Sequence, residues 1–125
     1  MSLVKLLGVP ALTLMLADGA AAVVLATPPL DASKWDEYAC NIVNVSTKPI
    51  TVTAELVDID DGTVLAREEL AAPPGAGARL TRLDDDFGFG AFCRFTTARS
   101  ARDLRASLTI YSGAEGRDVA HAEAR

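Results

Sequence analysis

This chain is poor in the residues that carry out chemistry. It has one histidine, two cysteines and one tryptophan in 125 residues. A Ser-His-Asp triad sets a histidine between a nucleophile and an acid. The lone His121 lies four residues from the end of the chain, and no G-x-S-x-G elbow occurs. Two cysteines and one distant histidine are too few for a zinc site, and the absence of C-x-x-C argues against a redox pair. Basic charge is also scarce, with 12 Lys and Arg against 17 Asp and Glu and a net charge of −5. Nucleic acid needs a basic face to neutralise its phosphates, and anionic lipid needs the same. The expectation is a non-enzymatic chain that takes no cofactor and binds neither nucleic acid nor a membrane surface.

One apolar segment dominates the start of the chain. Met1 to Lys5 is a short basic opening, followed by LLGVPALTLML and the small-residue stretch ADGAAAVVLA. Charged, apolar and small-residue regions in that order make a secretory signal. Residues 1–26 are assigned to it. Val24-Leu25-Ala26 offers one cleavage point, with Thr27 as the new first residue, and Ala20-Ala21-Ala22 offers another, with Val23 first. Asp18 and Gly19 interrupt the run, which disfavours the alternative of a retained membrane anchor over residues 6–26. Export implies a periplasmic or extracellular location. There Cys40 and Cys93 are expected to form a structural disulfide.

What remains is about 100 of the 125 residues, enough for one domain with a modest core. Residues 27–37 (TPPLDASKWDE) read as an extended lead-in, with Pro28 and Pro29 opposed to regular pairing and Trp35 expected to cover one end of the core. Residues 38–125 read as strands. Ile50 to Ile59 and Leu104 to Tyr111 alternate apolar and polar side chains, the period of a half-buried strand. Further strands are expected over 38–45, 63–70, 78–83, 91–97 and 119–122. Asp60-Asp61-Gly62 supplies a hairpin turn, and Pro73-Pro74-Gly75 and Asp84-Asp85-Asp86 supply further breaks. About six to seven short strands with regular turns and no amphipathic helix predict an all-β antiparallel sandwich. The order of the strands, and whether the bridge joins two sheets or two neighbours, stays open.

Cys40 in the first long strand, Cys93 in a later one and the Pro-Pro-Gly turn between them resemble an immunoglobulin-like or fibronectin type III-like sandwich. The tryptophan that immunoglobulin domains carry after the first cysteine is missing, since Trp35 precedes Cys40. The C-x-I-x-N start at Cys40 and the Cys93-Arg94-Phe95 strand are similar to those of small exported bacterial proteins of this architecture, which bring no assigned chemistry with them.

Few residues stand out as sites. By alternation with an inward Cys93, Phe95 points inward, while Phe92 and Arg94 point outward. Phe92, Arg94 and an outward Tyr111 form the candidate surface for another envelope or secreted protein. Asp84, Asp85 and Asp86 are the alternative, a loop of carboxylates for calcium or a small ligand. Asp58 to Gly62 fails the EF-hand pattern, because Gly62 stands where an oxygen ligand is needed. Arg99, Arg102 and Arg105 read as partners for neighbouring acids. Asn44-Val45-Ser46 is a glycosylation sequon.

Overall fold

Alternating side chains become two stacked sheets in the computed structural model, which describes residues 22–84 and 90–125. The strands are β1 (Val23–Ala26), β2 (Leu30–Asp31), β3 (Asp36–Asn44), β4 (Ile50–Asp58), β5 (Val64–Ala72), β6 (Gly77–Leu83), β7 (Gly90–Thr97), β8 (Leu104–Ser112) and β9 (Arg117–Glu123). A 3₁₀ turn, Ala101–Asp103, precedes β8. Every pairing is antiparallel. One sheet has the order β1-β7-β4-β5, with β2 also on β7, and the other has the order β6-β3-β8-β9. The seven strands expected from the sequence are all present, with ends within a few residues of those expected. The two short strands β1 and β2 are additional.

Both additions come from segments that lacked a strand pattern. Val23–Ala26, assigned to the leader from the sequence, pairs with β7 from Val23 opposite Thr97 to Ala26 opposite Arg94. Pro28 and Pro29 do interrupt pairing, but it resumes at once, with Leu30 opposite Ala91. Arg125 exchanges both backbone hydrogen bonds with Ala26, at 3.1 Å each. The end of the chain, just after β9, therefore joins the second sheet to β1 of the first.

The core lies between the sheets. Tyr38, Cys40 and Ile42 of β3 and Leu104, Leu108 and Ile110 of β8 meet Val52, Ala54 and Leu56 of β4 and Phe95 of β7, all almost fully buried. Apolar burial of this kind is the main driving force for the fold. Cys40 on β3 and Cys93 on β7 are bonded to each other. Because β3 and β7 belong to different sheets, the bridge passes through the core and joins the two layers.

The turns follow from local chemistry. Gly62, in the Asp-Gly turn between β4 and β5, has φ 77°, a conformation that glycine adopts without steric cost. The Thr63 N–H donates to Asp61 Oδ1 at 2.9 Å and holds that carboxyl below its ordinary range. Gly90 answers a different need, since a Cβ there would lie 2.7 Å from both Asp31 Oδ1 and Ile59 Cγ2.

One buried hydroxyl makes the fold sensitive to alkali. Tyr38 accepts from the Ala32 N–H at 3.1 Å. Burial pushes its hydroxyl up from 10.0 to about 12, against the lowering effect of the Ala32 N–H and with help from the charges of Asp84, Asp31 and Asp58. The unfolded chain releases this proton near 10 and the folded chain near 12, so stability is unaffected below 10 and falls as the pH rises through that window. Urea midpoints should therefore decline across it in the wild type and decline less in Tyr38→Phe. Equal slopes would assign the alkaline loss to other groups.

Candidate binding face

Alternation sends every second residue of β6, β3, β8 and β9 outward, and the register fixes how these residues meet. Leu83 and Tyr111 lie opposite Glu37, on either side of it; Thr81 and Thr109 flank Ala39; Arg79 and Ser107 flank Asn41; Gly77 and Arg105 flank Val43. On the next strand His121 lies opposite Thr109 and Glu123 opposite Ser107. The middle of this face is built from short side chains. The Asn41 amide donates to Ser107 Oγ at 3.3 Å and to Thr109 Oγ1 at 3.1 Å, which ties β3 to β8 on the outside. Longer side chains at the margins, Arg79 and His121 among them, leave a shallow depression of about 610 Å³ over Asn41.

The end of this sheet nearest Tyr111 is shaped by two irregularities. A bulge between Ile110 and Tyr111 puts Ile110 opposite Ala120 and Tyr111 opposite Asp118, leaving Val119 as the extra residue. Bulges bend a strand and re-aim its side chains. The second irregularity is Trp35, the one non-glycine residue with positive φ among the described residues, at 74°. It occupies the third position of the turn Ser33–Asp36, closed by the Asp36 N–H donating to the Ser33 carbonyl at 2.9 Å. Glycine is the usual residue there when φ is positive. Two neighbours hold the turn. The Trp35 N–H donates to the Asp84 carbonyl, and Asp36 Oδ2 accepts from the Ser33 N–H at 3.1 Å.

Trp35 does not cover the core, as its position in the sequence suggested. Its surface is 58% exposed, and the Lys34 ammonium lies 5.2 Å from its ring centroid. Leu83 and Tyr111 are exposed at the same end, 46% and 39% respectively. With Glu37 between them, their Cα atoms are about 10 Å apart, two strand spacings. A strained, exposed tryptophan at the same end of the sheet as an exposed tyrosine and leucine is a surface that folding alone does not require.

The other expected site residues are distributed differently. Phe92 and Arg94 do point outward together on β7, but from the opposite sheet, so no patch unites them with Tyr111. Alternation says only that a side chain faces away from the core, and two sheets have two outer faces. Arg94 is also engaged, its Nε 2.8 Å from Glu55 Oε1, while Arg67 reaches Glu55 Oε2 at 3.1 Å. The three side chains form an Arg-Glu-Arg row across β7, β4 and β5. Arg99 pairs with Asp103 at 3.3 Å, and exposed His121 lies 3.3 Å from Glu123.

Asp84 departs from the carboxylate-loop expectation. It is fully buried, and its backbone N–H donates to the Asp36 carbonyl at 2.8 Å. At that burial it does not face solvent as a loop ligand. Asp85 and Asp86, with Phe87 and Phe89, lie outside the described residues. Among the described residues no three His, Cys, Asp or Glu side chains gather as a metal site, and no helix is long and apolar enough to cross a membrane.

No known family, curated protein or solved structure matches this chain. The surface is therefore read from its own residues, since a sandwich fold by itself does not indicate a function.

Proposed function

We propose that the chain is an exported, non-enzymatic β-sandwich module that binds another envelope or secreted protein through the Trp35, Leu83 and Tyr111 end of its four-stranded sheet. The observation that carries this reading is Trp35, held at positive φ and exposed. Tryptophan and tyrosine are enriched among the few residues that carry most of the binding energy of protein interfaces; here the tyrosine lies near the end of β8 and the tryptophan in the turn that leads into β3. The polar depression over Asn41 continues the same face and supplies the hydrogen-bonding margin such interfaces carry. A bridge buried between the layers supports an oxidising, exported setting. An immunoglobulin-like description is supported by that inter-sheet bridge and by β4 pairing beside β7. The passage of β8 and β9 to the sheet of β3 departs from that pattern.

Photo-crosslinkers placed at Trp35 or Tyr111 in the exporting cell should trap one defined partner. The same group at Thr53, on the outer face of the other sheet, should not. Trp35→Gly separates binding from folding. It should abolish the crosslink from Tyr111 while leaving the thermal midpoint unchanged or raised, because glycine relieves a backbone strain of about 1–3 kcal/mol. A large drop in the midpoint would make Trp35 a packing residue and remove the basis of this reading.

A further inference from the structure

We infer that the export signal is cut between Ala22 and Val23, so that the mature protein begins at Val23; this rests on the export reading above. Several bonds near the end of the leader have small or modest residues at the first and third positions before them; Ala22–Val23, preceded by Ala20-Ala21-Ala22, alone has alanine at both, and Ala26–Thr27, preceded by Val24-Leu25-Ala26, has alanine and valine. Sequence alone does not choose between them. The cut is made on an unfolded chain in transit, so the fold does not shield the wrong bond. It distinguishes the two products by what each would lack.

A cut after Ala26 removes β1. The edge of β7 from Arg94 to Thr97 then loses its partner strand, Leu25 leaves the core it packs against, and the paired hydrogen bonds between Ala26 and Arg125 are lost. It also puts the new terminal ammonium on Thr27, which is only 6% exposed. The Thr27 nitrogen donates to the Cys93 carbonyl at 3.0 Å, and Thr27 Oγ1 accepts from the Cys93 N–H at 3.0 Å. With β1 gone the strand that leads into Thr27 no longer holds it in place, so both of these bonds would rest on a freed chain end. A cut after Ala22 has none of these costs. Water adds across the Ala22–Val23 peptide bond, leaving a carboxylate on Ala22 and an ammonium on Val23, at the open end of β1 beside an exposed residue. The whole strand is retained.

The test is the intact mass of the full chain expressed in a bacterium with a working export pathway and recovered without reductant. The expected product begins at Val23 and is lighter by two hydrogens for the closed bridge. A product beginning at Thr27, or at any other residue, overturns the inference and leaves the export reading standing. An uncut chain with a closed bridge held at the membrane does the same. An uncut cytoplasmic chain with free thiols overturns both. Two substitutions give a second readout. Ala22→Leu places a large residue before the inferred bond and should lower the yield of the Val23 product on the order of tenfold. Ala26→Leu, at an exposed position of β1, should leave it unchanged. The reverse pattern would assign the cut to Ala26–Thr27.

Discussion

Replacing both Cys40 and Cys93 with alanine is expected to remove about 4 kcal/mol of stability. The bridge closes a loop with a sequence separation of 53, and most of its effect lies in the unfolded chain, whose freedom it restricts. For a domain of this size that loss corresponds to a fall of roughly 20 °C in the thermal midpoint, a large fraction of the stability such domains have. Position adds to length. The bridge is the only covalent cross-link between the two sheets among the described residues beyond the chain itself, and both cysteines are buried, so each alanine also leaves a small void. Alanine is the better probe than serine, which would add two buried hydroxyls. In the native state a reductant should act slowly, because neither sulfur is accessible. Reduction should accelerate sharply once denaturant opens the sandwich. Urea unfolding of the wild type and the double variant checks the first expectation, and thiol appearance with time checks the second. A loss below about 1 kcal/mol would show that packing alone holds the layers together.

Asn44→Ala is expected to cost about 3 kcal/mol, even though it removes no apolar contact of note. Its side chain is fully buried and makes four hydrogen bonds. Nδ2 donates to the Lys48 carbonyl at 2.7 Å and the Ala72 carbonyl at 3.0 Å, and Oδ1 accepts from the Ser46 N–H at 2.9 Å and Ser46 Oγ at 2.7 Å. One residue thus closes the loop between β3 and β4 and fastens it to the end of β5. Alanine leaves those groups without this partner, and each buried polar group left unsatisfied costs about 1–3 kcal/mol. Asn41→Ala is the control on the same strand. Its amide bonds lie on the half-buried outer face, where water replaces them, so the change should cost less than about 1 kcal/mol. Urea midpoints of the two variants provide the comparison, and equal losses would refute the role given to Asn44. The sequon at Asn44 also takes on a different meaning. A glycan on this amide and the observed hydrogen bonds exclude each other, so a host that glycosylates Asn44 should yield a chain that fails to adopt this fold.

Much of the sandwich was legible in the sequence because its strands are amphipathic in a local way. The period of two in Ile50–Asp58 and Leu104–Ser112 arises from neighbours along the chain, and the Asp-Gly turn needs only its own backbone. The strand of Cys40 followed from its wealth of strand-forming residues, and the inward direction of Phe95 from alternation with Cys93. Four residues of β1 carried no such signal. VVLA has the same composition whether it ends an apolar leader or covers the edge of a sheet, and only its pairing with β7 distinguishes the two.

The amino-acid sequence by itself determined an all-β chain with in-and-out patterning, an acidic surface, an apolar leading segment and a single pair of cysteines. Those properties depend on residue type and short-range spacing. Tertiary structure alone decided which sheet each strand joins. It therefore decided that the bridge crosses the core, that Phe92 and Tyr111 face opposite ways, and that Asp84 is enclosed. It also decided that Trp35 is displayed, because the turn that holds it at positive φ is fastened to Asp84, far along the chain. The reason is common to all four. Alternation states that a side chain points away from the core, while its companions on that face are set by hydrogen-bond registry between strands distant in sequence.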